Sequence, residues 1–149
     1  MNYRIYKLQF QSDLLYLDSI YSSLSDLDKQ RLSSIDVLSA FHFDSQFKHF
    51  VYMIIQPKEI AFYRNILNIN LIPYFCEDVS ESVLDNLLDL ESELVKFCDM
   101  SNVQDYDNFI FELNSWILEN LNLDSILDRI NSDGINSLRP IDKEFLKRV

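Results

Sequence analysis

A single glycine in 149 residues, Gly134, narrows what this chain can become more than any motif in it. Glycine ordinarily makes up about 7% of a protein, because without a Cβ it enters the positive-φ turns and close backbone approaches that other residues avoid. Gly-rich phosphate loops, dinucleotide fingerprints and nucleophile elbows each need several such positions. Gly134 alone builds none of them. Tight β-hairpins also favour glycine, so the shortage directs the chain towards a helix-rich architecture.

The chain can still bury a core. Its apolar fraction is 48%, with eleven Phe and eight Tyr, which is the composition of a globular protein and not of a disordered acidic tail. At this length about two-thirds of the unfolded surface is buried on folding, and one domain over 1–149 is expected, with an α/β part at 1–76 and a helical part at 77–149. Cys76 and Cys98 are too few and too unpatterned for a disulfide framework or a zinc site, so they read as reduced core thiols. The alternating N-terminus lacks an apolar signal core. The longest apolar run, Phe50–Ile55, is far short of a bilayer span. A soluble, uncleaved, cytoplasmic protein with no membrane association is the expectation.

Alternation over 2–10 predicts a half-buried strand. Leu17, Ile20, Leu24 and Leu27 recur at helical spacing and predict an amphipathic helix over 13–31, with 33–41 either extending or restarting it. The uninterrupted β-branched and aromatic run 49–56 predicts a central strand covered on both faces. Pro57 then opens a helix carrying Ile60, Tyr63, Ile66 and Leu67, and 71–76 predicts a third strand, placed at an edge by Pro73. Strand, helix and strand in so short a span indicate a βαβ crossover. After residue 77 only helices are expected. One covers 80–98 behind an Asp78–Glu81 capping box, and one covers 104–121, burying Phe109, Ile110, Leu113, Trp116, Ile117 and Leu121. Phe111 falls off that buried stripe. The fold class is therefore α+β: a small sheet with helices, followed by an all-helical, acidic C-terminal half.

Residues 123–146 carry the most recognisable wording. Ile126, Leu127, Asp128, Ile130, Gly134, Ser137, Leu138, Lys143, Phe145 and Leu146 match a pattern that resembles a short helical hairpin at the C-terminal ends of many bacterial proteins, including the cytoplasmic tails of some rhomboid-like membrane proteases. The resemblance covers about 25 residues, implies a fold element and a bacterial source, and carries no activity. Gly134 suits a left-handed stop after the first helix and Pro140 the start of the second. Arg139 departs from the pattern, standing where a Ser or Thr cap is usual, and is expected to weaken that start.

The charge is as lopsided as the glycine count. Residues 1–75 hold seven basic and seven acidic side chains, whereas 76–149 hold six and seventeen, the whole of the formal charge of −11. Between Glu77 and Asp128 fourteen carboxylates face one base, Lys96. Such a field repels nucleic acid and anionic membrane and steers cationic surfaces inward. On the helix expected over 80–98, Asp78, Glu81, Asp85, Asp89 and Glu93 form a row whose three i,i+4 like-charge pairs cost on the order of 1 kcal/mol together. The row reads as a solvated face, as a docking surface for a basic partner, or as a nucleic-acid mimic.

His42, Asp44 and His49 form the only cluster resembling catalysis or metal binding. An imidazole beside a carboxylate can orient a general base or help hold zinc, but no third strong ligand accompanies them, and a local polar pair is the plainer reading. No metal and no cofactor is expected. The expectation for function is a non-enzymatic bacterial cytoplasmic protein that binds a basic protein through Asp78, Glu81, Asp85, Asp89 and Glu93, an inhibitor or immunity-type antagonist being one form. The alternatives are a small enzyme or ligand-binding protein with a cleft near His42, Asp44 and His49, and an oligomeric scaffold or nucleic-acid mimic. Direct nucleic-acid binding is not expected; a homo-oligomer remains open.

Overall fold

A computed structural model describes residues 2–11, 21–22, 24–45 and 48–149, and the chain divides into two compact units, Met1–Val79 and Ser80–Val149. The first unit runs β1 (Arg4–Phe10), α1 (Asp26–Ser33), β2 (Val37–Asp44), β3 (His49–Ile55), α2 (Pro57–Ile69) and β4 (Tyr74–Asp78). Its four strands lie in the order β2-β3-β1-β4, every neighbouring pair antiparallel. Hence β3 and β4, joined through α2, run parallel with β1 inserted between them. This is the split βαβ connectivity of ferredoxin-like β-α-β-β-α-β folds, and it puts β3 inside the sheet and β4 at an edge, as the sequence predicts.

Strand register explains which residues are buried. Leu8 pairs with Val51 and Ala40 with Met53, so one face carries Leu8, Phe10, Val51, Met53 and Ile55, which pack with Ile60, Tyr63 and Leu67 of α2. Ile5, Phe41, Phe50, Tyr52 and Ile54 project from the other face and are also buried. A strand buried at every position cannot alternate, and β3 does not.

Two expectations in this unit are corrected. The segment 33–41 neither extends nor restarts a helix beyond Ser33; it leads into β2, whose pairing with β3 shifts register between Val37 and Ser39. That bulge breaks the period-two pattern on which strand recognition depends. Part of the helix expected over 13–31 lies outside the described residues. Within them, α1 starts afresh at Ser25, whose hydroxyl accepts from the Asp28 amide at 3.1 Å, and Leu27 is exposed. Asp28 is buried instead, accepting from Asn70 Nδ2 at 3.0 Å and tying α1 to the end of α2.

The second unit is helical: α3 (Ser80–Leu84), α4 (Leu90–Val95), α5 (Val103–Asn120), α6 (Leu123–Asp133), a 3-10 turn (Ile135–Ser137) and α7 (Pro140–Arg148). Helix α5 packs against α3, α4 and α7 and buries Phe109, Ile110, Leu113, Trp116 and Ile117. Asn122 caps α6, its side-chain oxygen accepting from the Asp124 and Ser125 amides.

The continuous helix expected over 80–98 is two short helices. Asn86 turns to φ 60°, the Leu87 amide reaches back to Ser82 O at 2.8 Å, and the Asn86 amide reaches Val83 O at 3.3 Å. These paired bonds make a Schellman stop, normally built on glycine and next most readily on asparagine. The end of α2 repeats it on Leu71, at φ 56°, with Ile72 donating to Leu67 O and Leu71 to Asn68 O. With one glycine available, two left-handed stops fall on other residues. Gly134 itself has φ 84° and ψ 164°, a region essentially restricted to glycine.

Candidate functional site

The break after α3 disperses the acidic row. Asp78 is the last residue of β4, in the first unit, where its carboxylate receives the Arg4 guanidinium. Glu81 lies in α3 and Asp85 just after it. Asp89 caps α4, accepting from the Ser92 amide at 3.2 Å and the Ser92 hydroxyl at 2.9 Å. Glu93 faces Lys96 at 3.6 Å on an exposed surface. The five carboxylates therefore do not form one helical face. Aspartate and asparagine compete for backbone groups, which favours caps and turns over helix interiors, and Asn86 and Asp89 occupy such positions.

One of the five, Asp89, instead borders a groove of about 410 Å³ within the helical unit. Its apolar lining comes from Val83, Leu88 and Leu90 on one side, Leu113, Ile117 and Leu118 of α5, and Ile141 of α7. Asp89, Glu91 and Glu144 add three carboxylates. The Tyr106 hydroxyl donates to Glu91 O at 3.1 Å and ties α5 to α4 beside it. Leu87, in the loop leading into the groove, is 80% exposed.

Arg139, the remaining charged group of the lining, is already committed. Asp142 is completely buried, and its Oδ2 accepts from Arg129 Nη1 at 2.9 Å, Arg139 Nε at 3.1 Å and the Arg139 amide at 2.8 Å, while Oδ1 accepts from Arg139 Nη2 at 3.0 Å. The same guanidinium groups donate onward to Leu84 O, a carbonyl that the last turn of α3 leaves unpaired, and to Val83 O, which also accepts from the Asn86 amide. Burial pushes the Asp142 carboxyl up, but the hydrogen bonds from Arg139 and the charges of both arginines outweigh it and hold the group below its ordinary value. Arg139 does not weaken the start of α7. Its amide is bonded by the third residue of the helix, as in a capping box, and its side chain fixes α7 against the end of α3. Sequence reasoning passed over this clamp, whose one local signal is Asp142 three residues after Arg139.

The histidine cluster separates. His49 is buried, and its Nδ1 meets the Asp44 carboxylate across the β2–β3 pair. His42, two residues along the same face from Asp44, is exposed and lines a different cavity, beneath α1. Among the described residues no group of three or more His, Cys, Asp or Glu side chains is arranged to hold a metal ion. Cys76 is half-buried; burial raises its thiol most, the Arg64 charge opposes this and Asp78 adds to it. Cys98 is half-buried beyond the end of α4 and not inside a helix. Trp116 is core, whereas Phe111 is 68% exposed, as its place off the buried stripe predicts. Among the described residues no helix is long and apolar enough to cross a membrane.

No family model matches the chain, and comparison with the curated proteins and with the solved structures found no match.

Proposed function

We propose that this protein acts without catalysis, by binding a basic protein whose apolar side chains enter the groove of the helical unit while its Lys and Arg residues meet Asp89, Glu91 and Glu144. The observation that carries this reading is the combination, in one concavity, of an apolar floor with three carboxylates and a single arginine already neutralised by Asp142. Long-range attraction by the acidic half accelerates encounter, and apolar burial holds the complex. Inhibition of a basic enzyme, in the manner of an immunity protein, is one form of this action. Asp85 and Glu93 contribute to the field but do not line the groove.

The test is binding kinetics with the partner captured from the native host. Replacing Asp89, Glu91 and Glu144 together by Lys should slow association at least about tenfold at low salt, and the same change at Glu81, Asp85 and Glu93 should do so less. Leu118→Asp, which puts a charge on the apolar wall, should accelerate dissociation. Association indifferent to salt and to both charge reversals would refute the proposal.

A further inference from the structure

The first unit holds a second concavity whose chemistry runs against that of the protein as a whole. A cavity of about 420 Å³, within the range of small-molecule sites, lies between α1, the bulged edge strand β2 and α2. Leu32, Val37, Ala40 and Met53 give it apolar walls, and Tyr21, Lys29, Ser33, His42 and Tyr63 are the polar residues of its lining. None of the described residues lining it is acidic, in a chain with twenty-four carboxylates. Of the neighbouring acids of this unit, Asp28 is buried and held by Asn70, and Asp44, at the surface, is paired with His49, although its charge still reaches Tyr21.

The arrangement follows from local structure. Lys29, Leu32 and Ser33 recur at i, i+3 and i+4 on α1 and so share one face. Ala40 and His42 lie two apart on β2, and Ala40 pairs with Met53 of β3, so all three line the same side of the sheet. The Tyr21 and Tyr63 hydroxyls hydrogen-bond each other. Burial raises both phenols above their ordinary value, so both stay protonated. One hydrogen is used between them, leaving the second available to donate. Lys29 makes no ion pair among the described residues, and both it and His42 are exposed.

We propose that this cavity binds a small amphiphile with an anionic head, a carboxylate on a short aliphatic chain. The head meets Lys29 and His42 at the opening and the chain lies along Leu32, Val37, Ala40 and Met53. The site is independent of the groove in the helical unit.

Calorimetric titration of the full-length chain with decanoate and with decyltrimethylammonium, both below their micelle-forming concentrations, tests this. Nonspecific association with a chain of net charge −11 favours the cationic probe, so a site-specific preference has the opposite sign. Decanoate should bind at one site, more tightly than the cationic probe. Lys29→Gln, at an exposed position that spares the fold, should weaken decanoate about tenfold through loss of a charge-assisted contact. His42→Gln should weaken it less, and Ala40→Leu, which fills the wall, should abolish binding with an unchanged circular dichroism spectrum. Equal or tighter binding of the cationic probe, no binding of decanoate, or decanoate affinity unmoved by Lys29→Gln would overturn the proposal.

Discussion

Asp142→Asn removes the charge at the centre of the Arg129–Asp142–Arg139 clamp while keeping the side chain's size. Three hydrogen bonds converge on one oxygen of this fully buried carboxylate and a fourth reaches the other. Leaving an opposing buried charge unpaired costs about 3–5 kcal/mol. For a chain of this size 1 kcal/mol lowers the melting temperature by about 2–4 °C, so the variant should melt roughly 6–20 °C below the parent at neutral pH, followed by circular dichroism. The effect has a definite pH dependence. The Asp142 carboxyl is held below its unfolded value, so its contribution is complete above about pH 4 and disappears as pH falls through the folded value. The gap between parent and variant should therefore close under acid. Replacing all three members with apolar residues is a second discriminator. A simple buried ion triad tolerates that exchange, but here Leu84 O loses both its guanidinium donors and Val83 O keeps only the Asn86 amide, so the triple variant should remain about 1–3 kcal/mol less stable. A neutral-pH shift under about 2 °C for Asp142→Asn, or a gap that persists in acid, would refute the clamp as a source of stability.

Other outcomes follow from the turns and the C-terminal helices. Gly134→Val should destabilise by about 1–3 kcal/mol through backbone strain alone, since nothing lies within 4 Å of an added Cβ; urea unfolding reads this directly. Leu71→Gly relieves a left-handed leucine whose side chain is exposed, and should raise stability by about 0.5–1 kcal/mol once the glycine's greater unfolded freedom is subtracted; a loss would show that Leu71 makes contacts that outweigh its backbone cost. Deleting 123–149 removes the clamp, Ile126 and Leu138 together and should cause aggregation or a clear fall in the melting transition, whereas an unchanged melt would mark the hairpin as detachable.

Elements whose pattern is local were legible in the residues alone. Alternation located β1, an unbroken apolar run located β3, and 3.6-residue spacing located α5 with Trp116 inside and Phe111 outside. Gly134 and Pro140 marked the gap between α6 and α7. Charge counting placed the acidity in the C-terminal half, which is also local information. Tertiary structure decided the rest. Strand β2 was hidden because its bulge alters the alternation, and only pairing with β3 makes it a strand. The helix expected over 80–98 broke because Asn86 and Asp89 are better used as stop and cap than in a helix interior. The acidic row was thereby divided between the two units, while Asp89 joined Glu91 and Glu144, which stand more than fifty residues apart in sequence. Arg139 read as a poor cap because its partners, Asp142, Val83 and Leu84, gather only when α3 and α7 meet. Periodicity reports which side of an element is buried; which charges converge on a groove, and which are cancelled inside it, depends on how distant elements pack.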